Sequence, residues 1–235
     1  MHAPVVTFDA GQTLVELDLE FLAVRLGERG LEVPAARLAA AAPAAWQLYD
    51  RELAAGPEAS WRALIGALLA GAGVAPPAIA DTVSWLWREQ PRANLWRHPI
   101  AGMVALAREL AAGGARVAVL SNSEGRIAEL LREVGIADPF AAIIDSGRFG
   151  IAKPDRRIFV HTLAELGVPA DEGVPIHIGD SWAADVAGAR AVGWRAIWFG
   201  RRTAPCADAG VAVAHDPAAA RDALVRWGAL LRRDP

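Results

Sequence analysis

The sequence predicts an α/β protein: a parallel sheet with helices on both faces, interrupted near its start by an all-helical insert. Two observations predict this fold class. Between about residues 100 and 199, a helical pattern, a glycine and a short apolar strand follow one another four times. Such alternation is typical of parallel sheets with helices on both faces. Between about residues 17 and 94, apolar residues recur at helical spacing without a convincing strand.

The N-terminal third predicts one strand and the insert. Val5–Asp9 is apolar up to its final residue, which indicates a buried strand. Each helix that follows has a start signal, either Asp18 as a cap or a proline in the first turn. The expected helices are Asp18–Arg29, Pro34–Ala54, Pro57–Ala70 and Pro76–Glu89. We therefore expect a core domain of residues 1–15 and 95–235 and an inserted helical domain of residues 16–94.

The core units after residue 99 each combine a helix, a glycine and a short strand. The glycine can take the left-handed conformation that ends a helix, and the apolar strands suit burial on both faces. The expected helix–strand pairs are Ile100–Ala112 with Arg116–Leu120, Glu124–Val134 with Ala142–Asp145, Asp155–Leu166 with Ile176–Gly179, and Ala183–Val192 with Arg195–Phe199. Val211–Ala214 is expected to add an edge strand and Pro217–Arg232 a closing helix. Such a core is Rossmann-like.

Composition and charge argue against several classes of protein. The 235 residues are 54% hydrophobic and 22% charged, which is enough to bury a substantial core. A net charge of −3 and a pI near 6.0 argue against a nucleic-acid partner. The single cysteine, Cys206, allows neither a disulfide within this sequence nor a cysteine-based zinc cluster. Since the sequence has no signal-peptide pattern and no uncharged stretch of membrane-spanning length, we expect a cytoplasmic protein without a membrane partner.

Polar residues cluster where the predicted core strands end. In chain order they are Asp9, Thr13, Ser121, Asn122, Lys153, Asp180 and Asp185. Because ligands bind beyond the carboxyl ends of parallel strands, we expect these side chains to converge. Three crowded carboxylates raise one another's pKa unless a cation lies among them, and Mg²⁺ suits oxygen ligands. Lys153, the only lysine in the sequence, adds a compact point charge that can reach a phosphate or a carboxylate.

Four segments carry a resemblance to a known family. FDAGQT, VLSNS, GIAKPD and HIGDSWAAD, each at a predicted strand end, resemble in order the four motifs of the haloacid dehalogenase superfamily. The helical insert between the first two segments is similar to the cap domain of the superfamily's first subclass. The resemblance implies a hydrolase with a Rossmann-like core and a cap over residues 16–94, acting on a small-molecule substrate.

The resemblance also implies a nucleophile and a metal site. Asp9 would attack the substrate and form a covalent aspartyl intermediate, while Thr13 would support the turn. Mg²⁺ would be held by Asp9, the main-chain carbonyl of Gly11 and Asp180. Asp185 would be a further ligand or would orient the others.

The same resemblance implies three groups that bind a transferring phosphoryl group. Ser121, the backbone at Asn122 and Lys153 would hold its oxygens, so that catalysis is mostly positioning and charge neutralisation. Ser121 is also expected to cap the helix that begins near Glu124.

At Gly11 the sequence departs from the phosphatases it resembles. That position is usually a second aspartate, which protonates the leaving alkoxide and later activates water. General acid–base catalysis of this kind typically raises the rate by ~10²–10⁴-fold. Three explanations stay open. The substrate has a good leaving group, such as an acyl or aryl phosphate; another group substitutes, with Gln12, Glu16 and Glu20 as candidates; or the protein is not a phosphatase.

Three functions are compatible with these residues. Dehalogenases of the superfamily also lack the second aspartate, so a metal-independent 2-haloacid dehalogenase is one alternative. Halide displacement gains nothing from a metal-binding carboxylate, so Asp180 and Asp185 favour a Mg²⁺-dependent phosphohydrolase acting on a small phosphorylated metabolite. The third alternative is a catalytically weak relative that binds a phosphorylated ligand or a protein partner.

The remaining aromatic residues and histidines are given structural interpretations. His177 lies within a buried strand pattern and is interpreted as structural. Five tryptophans fall in or near the insert: Trp46, Trp61, Trp85, Trp87 and Trp96. Packing inside the insert, contact with an apolar substrate and a homodimer interface are alternatives for them. Trp182 lies inside the fourth motif and is expected near the cap.

Overall fold

The computed structural model describes residues 3–169, 172–201 and 203–231. Its residues divide into two compact units, each described here by itself. The core unit comprises Met1–Glu16 and Trp96–Pro235, and the inserted unit comprises Leu17–Leu95. Among the described residues, no helix is long and apolar enough to cross a membrane.

The described residues form eight strands in two sheets. They are β1 (Val5–Phe8), β2 (Val15–Leu17), β3 (Trp96–Pro99), β4 (Arg116–Ser121), β5 (Ala142–Asp145), β6 (Ile176–Gly179), β7 (Arg195–Phe199) and β8 (Val211–Ala214). Six of them form one sheet in the order β5-β4-β1-β6-β7-β8, and every neighbouring pair is parallel. Strands β2 and β3 pair in a separate two-stranded sheet. The predicted parallel α/β fold is confirmed, with β1 in the interior of the sheet and β8 at its edge.

The helices fall into two groups. Those of the inserted unit are α1 (Leu19–Gly27), α2 (Ala35–Glu52), α3 (Pro57–Gly71) and α4 (Pro76–Glu89). Those of the core unit are α5 (Ala101–Ala112), α6 (Ile127–Glu133), α7 (Ser146–Phe149), α8 (Arg156–Glu165), α9 (Gly188–Ala191) and α10 (Pro217–Arg226). A 3₁₀ turn at Leu53–Ala55 follows α2, and a π-helical turn at Trp182–Ala187 precedes α9.

Two hydrophobic clusters of the core unit lie on opposite faces of the six-stranded sheet. Since successive side chains of a strand point to opposite faces, β1 contributes to both clusters. Val6 and Phe8 pack with residues of α5 and α10, whereas Val5 packs with residues of α8 and α9. The sheet is therefore buried on both sides, and the loops at its carboxyl edge are where polar side chains can gather.

Within the inserted unit, helical packing accounts for part of the tryptophan cluster. Trp61 is buried, and its ring meets that of Trp87 at 5.1 Å between centroids. The guanidinium of Arg25 lies 4.6 Å from the Trp85 ring centroid. The predicted cap of the first helix is present, since Asp18 Oδ1 accepts from Phe21 N at 2.8 Å.

Several elements differ from the sequence-based expectations. The helix expected to begin near Glu124 begins at Ile127. The continuous helix expected over Ala183–Val192 is a π-helical turn followed by a short α-helix. Strand β3 was missed because its sequence, WRHP, has neither an apolar run nor an alternating pattern. Helix α10 ends at Arg226, and Arg232, the predicted end, lies outside the described residues.

Candidate active site

Asp9 lies at the carboxyl end of β1, in the interior of the sheet. Its backbone N–H donates to the carbonyl of Ile178 at 2.8 Å, which extends the pairing with β6 by one residue. In the turn that follows, the carbonyl of Ala10 accepts from Leu14 N at 2.8 Å, and Gln12 adopts a left-handed φ of 55°. Asp9 is thus buried, and backbone hydrogen bonds fix the main chain at Asp9 and in the turn that follows it.

Lys153 connects the carboxylates at this edge. Its buried ammonium donates to Asp9 Oδ1 at 2.8 Å, to Asp185 Oδ1 at 2.6 Å and to the carbonyl of Leu120 at 2.6 Å. All three N–H donors of the ammonium are therefore engaged. The Asn122 side chain holds the Lys153 backbone, since its Oδ1 accepts from Lys153 N at 2.8 Å and its Nδ2 donates to Lys153 O at 3.0 Å.

Asp185 is buried and has partners at both of its carboxylate oxygens. Besides Lys153, Oδ1 contacts Nε2 of His177 at 3.0 Å, and Oδ2 accepts from Ser181 N at 2.9 Å. Gly179 makes this position available, because a Cβ there would lie 2.3 Å from Asp185 Cγ. Asp185 is thus held in place from both sides of its carboxylate.

His177 supports Asp185 from within the sheet. Its ring is fully buried, and its Nδ1 lies 2.8 Å from Thr7 Oγ1. Both ring nitrogens therefore have partners. This arrangement agrees with the structural interpretation of His177 and adds a specific contact with a site carboxylate that the sequence did not indicate.

Burial and charge shift the pKa values in this group. Burial, and secondarily the charge of Asp185, raise the pKa of Asp9 above its ordinary value, although Lys153 opposes the shift. Burial also acts to raise the pKa of Asp185, but Lys153 and His177 outweigh it, so that pKa is lowered. Burial and the neighbouring ammonium lower the pKa of His177. Burial acts to lower the pKa of Lys153, yet the two carboxylates outweigh it and the pKa is raised. Lys153 is consequently a cation and His177 neutral at physiological pH.

Three carboxylates are grouped at the scale of one metal ion. One carboxylate oxygen each of Asp9, Asp180 and Asp185 lies within 4.8 Å of the others. Opposite ligands of an octahedral Mg²⁺ are about 4.2 Å apart, given bonds of about 2.1 Å. Since both oxygens of Asp185 already have partners, Asp185 is better suited to orienting the other carboxylates than to binding the ion directly. The donor set fits a small divalent cation.

Asp145, at the end of β5, is a residue that the sequence interpretation missed. Its carboxylate accepts from the backbone N–H groups of Gly125 at 3.0 Å, Ile127 at 3.0 Å and Gly147 at 2.9 Å. Asp145 and not Ser121 therefore holds the start of α6, so the expected capping role of Ser121 is wrong. The reason is that five residues, with Gly125 at a positive φ of 96°, separate Ser121 from the helix. An acid ending a buried strand was the available signal for Asp145.

Ser121 and Thr13 are buried at strand ends, as predicted. Ser121 is the last residue of β4, in register with Asp145 of β5. Thr13 follows β1, and its Oγ1 is buried without a hydrogen-bond partner among the described residues. The structure brings Asp9, Lys153, Asp180 and Asp185 together directly, whereas Asn122 contributes by fixing the Lys153 backbone.

Two tryptophan rings form a pair that contacts the backbone of Asp180. Trp182 is 45% exposed, and its ring centroid is 4.8 Å from that of Trp198, with the planes inclined by 59°. Trp198 Nε1 donates to the carbonyl of Asp180 at 3.0 Å, which ties the pair to the site. At Gly11 an added Cβ would have one neighbour within 4 Å, Trp96 Cδ1 at 3.8 Å.

Comparison with known proteins assigns the family. The sequence profile of the haloacid dehalogenase-like hydrolases matches residues 4–193. The chain belongs to this family. The resemblance carried by the four segments is thereby confirmed, and so is the expectation of a hydrolase.

Relatives of this haloacid dehalogenase-like hydrolase differ in activity. Haloacid dehalogenase-like hydrolase domain-containing protein 3 of Bos taurus is 31% identical over 201 residues, covering 80% of this chain and 78% of that protein. A phosphoserine phosphatase of Thermus thermophilus is 33% identical over 138 residues, covering 57% of this chain and 52% of the phosphatase. The crystal structure of a 2-haloacid dehalogenase from Pseudomonas syringae aligns with a TM-score of 0.58 and 25% identity, over 96% of this chain and 100% of that one.

Proposed function

We propose that the protein is a Mg²⁺-dependent phosphohydrolase that cleaves a small phosphorylated metabolite through an aspartyl-phosphate intermediate on Asp9. One observation carries this proposal. Asp180 joins Asp9 and Asp185 within 4.8 Å, although Lys153 already supplies one cation. Three carboxylates and one ammonium leave a net charge of −2 when all are ionised, which a divalent cation would neutralise. A metal-free displacement would not require a third carboxylate in this cluster.

The residues divide the work as follows. An oxygen of the Asp9 carboxylate attacks phosphorus while the bond from phosphorus to the leaving oxygen breaks; water then hydrolyses the aspartyl phosphate and restores the carboxylate. Bound Mg²⁺, held by Asp9, Asp180 and the carbonyl of Gly11, would supply charge stabilisation for the phosphoryl oxygens. Lys153 holds Asp9 in place and adds positive charge at the reacting group. Asp185, fixed by His177, positions Lys153.

Binding of the phosphoryl group is assigned to the β4 end of the site. Ser121 lies at that strand end, and Asn122 fixes the backbone of Lys153 through two hydrogen bonds. Thr13 supports the turn after Asp9. The phosphoserine phosphatase among the relatives supports phosphate chemistry, although the match covers about half of its length.

The first test measures hydrolysis of p-nitrophenyl phosphate. We expect turnover with Mg²⁺ that is lost with excess chelator and in Asp9→Asn. Asp155→Asn is a matched control, since it removes a half-buried carboxylate that caps α8. Turnover that persists in chelator or in Asp9→Asn would contradict the proposal.

A 2-haloacid dehalogenase is the second candidate. Two observations favour it: the 25% identity with the dehalogenase from Pseudomonas syringae over 96% of this chain, and the lack of an acid at position 11. Asp9 would then attack a halogen-bearing carbon. Chloride release from a 2-chloro acid in the presence of chelator, without phosphate release from any ester, would establish this activity instead.

The assignment of residues 16–94 as a cap domain stays a prediction, and so does the restriction to small-molecule substrates. A cytoplasmic location, the lack of a nucleic-acid or membrane partner and a homodimer formed by the inserted unit remain predictions.

A further inference from the structure

We propose that the natural substrate is an aryl phosphate, whose leaving oxygen departs as a phenoxide and whose aromatic ring packs against Trp182. This inference rests on the proposed phosphohydrolase function and narrows it to a substrate class. Two independent features carry it: Lys153, Asp185 and His177 offer no proton to a leaving group, and an exposed aromatic ring is held by a tryptophan that donates to the Asp180 backbone.

Three of the groups near Asp9 are committed to other contacts. They are Lys153, Asp185 and His177, and the further nearby carboxylate, Asp180, is assigned to the metal ion. The Lys153 ammonium uses its three N–H groups on Asp9, Asp185 and the Leu120 carbonyl. Asp185 has partners at both oxygens, and His177 at both ring nitrogens. Among the described residues, none of these three groups is placed to protonate a departing oxygen.

Gly11 supplies no acid either, although the chain leaves space for one. A Cβ there would have Trp96 Cδ1 at 3.8 Å as its one neighbour within 4 Å, which is ordinary van der Waals contact. Glu16, on β2, is exposed between the buried residues Val15 and Leu17. A substrate suited to this site therefore leaves without a proton from these three groups or from position 11.

This requirement selects the chemistry of the leaving oxygen. A phenol has a pKa of about 10, as in tyrosine, whereas water, which approximates an alkanol, has a pKa of about 15.7. A phenoxide therefore departs unprotonated far more readily than an alkoxide.

The exposed ring specifies what the leaving group carries. A lone exposed tryptophan needs no explanation, but Trp182 is held by its contact with Trp198, which in turn donates to the carbonyl of Asp180. The Trp182 ring is therefore held, through Trp198, by the backbone of Asp180, which also supplies a site carboxylate. Trp96 borders the space at Gly11, two residues along the chain from Asp9. Aromatic surface near Asp180 and near Gly11 suits a flat, apolar leaving group.

The reaction balances without an added reactant. An Asp9 oxygen forms a bond to phosphorus, the bond from phosphorus to the aryl oxygen breaks, and the electron pair leaves on the phenoxide, which takes a proton from solvent. Water then forms a bond to phosphorus, the aspartyl–phosphorus bond breaks, and phosphate is released with the protons of that water or passes them to solvent.

Four esters separate the leaving-group effect from the ring effect. p-Nitrophenyl phosphate has a ring and a good leaving group, benzyl phosphate a ring and an alkoxide, acetyl phosphate a good leaving group without a ring, and glycerol 2-phosphate neither. We expect kcat/KM for p-nitrophenyl phosphate to exceed that for benzyl phosphate by at least about 10²-fold, since acid help worth ~10²–10⁴ is missing. Gly11→Asp should raise the rate with benzyl phosphate and narrow that gap.

Variants of Trp182 test the ring. Trp182→Ala should lower the ratio of kcat/KM for p-nitrophenyl phosphate to that for acetyl phosphate by about two- to tenfold, the value of one aromatic contact. Trp182→Phe should restore most of the ratio. Trp227→Phe, which changes a tryptophan at the end of α10, is the matched control and should leave the ratio unchanged.

The outcomes distinguish this inference from the proposed function. Mg²⁺- and Asp9-dependent hydrolysis of acetyl phosphate, with benzyl phosphate cleaved as fast as p-nitrophenyl phosphate, would preserve the function and overturn the leaving-group argument. An unchanged ratio in Trp182→Ala would overturn the ring contact. Hydrolysis of none of the four esters would overturn the phosphohydrolase itself, and the inference with it.

Discussion

Removing the Lys153 ammonium is the most direct test of how the site is held together. Lys153→Met keeps a chain of similar length but deletes three hydrogen bonds, to Asp9 Oδ1, Asp185 Oδ1 and the carbonyl of Leu120. The side chains of Lys153 and Asp185 are 1% and 2% exposed, so water cannot replace the lost partner. The variant leaves two buried carboxylates facing one another.

The expected cost is large for a single substitution. Removing one partner of a buried ion pair typically costs about 3–5 kcal/mol, because the other charge stays buried without compensation. The orphaned carbonyl of Leu120 adds about 1 kcal/mol or more. Against a usual total stability of about 5–15 kcal/mol, Lys153→Met should be folded but severely destabilised.

The assay is urea unfolding within a double-mutant cycle. Asp185→Asn removes one of the two carboxylate charges, so the double variant Lys153→Met/Asp185→Asn should be more stable than Lys153→Met alone. The penalty of Lys153→Met should also shrink between about pH 8 and about pH 5, because a buried carboxylate without its cation has a raised pKa and regains stability on protonation.

Arg108→Met is the matched control. It breaks an exposed two-bond contact with Asp138 and should have a far smaller effect. A cost below about 1 kcal/mol for Lys153→Met, or an additive double variant, would refute the reasoning, since either result would mean that the ammonium does not neutralise the pair.

Three further variants test other parts of the structure. Gly179→Ala should abolish activity, because its Cβ would lie 2.3 Å from Asp185 Cγ, and an active variant would contradict that contact. Gly66→Ala, in open space within α3, is the control and should raise the free energy of unfolding by up to about 1 kcal/mol. Both variants are checked by activity and by urea unfolding. Asp145→Ala leaves three backbone N–H groups without their acceptor and should lower the free energy of unfolding in urea by about 1–3 kcal/mol. It should also raise KM, because the loop after β4 loosens. An unchanged KM would show that this loop does not take part in substrate binding. The guanidinium of Arg157 lowers the pKa of Asp155 to about 2, so the contribution of Asp155 to stability is present above about pH 4 and is lost as the pH falls through about 2. The unfolding free energies of Asp155→Asn and the wild type should therefore converge over that range. A difference that stays constant with pH would argue against the ion pair.

Much of the core could be predicted from local patterns. Each strand of the large sheet is a short apolar run, and glycine ends most of the preceding helices, so the period of the sequence changes where the structure changes. Asp9 and Asp180 could be predicted as site residues because the carboxyl ends of parallel strands share one edge. A rule about strand direction brings them together without any knowledge of side-chain contacts.

The errors arose where a long-range contact overrides the local pattern. Ser121 has the composition of a helix cap, yet Asp145 on the neighbouring strand supplies the acceptors and the helix begins later. The expectation that Asp185 binds a metal or orients its ligands is not one of these errors, but the sequence did not identify its partners, Lys153 and His177. Spacing could not reveal the contacts of Lys153 either, because it lies 32 residues from Asp185 and 144 residues from Asp9.

The sequence by itself therefore determined the order of helices and strands, the edge at which the polar residues gather and the lack of an acid at Gly11, since all three follow from local periodicity, strand polarity and residue identity. The tertiary structure alone decided which of those residues form hydrogen bonds and ion pairs with one another. Only folding brings one ammonium to 2.8 Å from Asp9 and 2.6 Å from Asp185, places Asp180 in the same cluster, and fixes Trp182 beside it through Trp198. Those distances depend on packing between elements far apart in the chain, which no local pattern encodes.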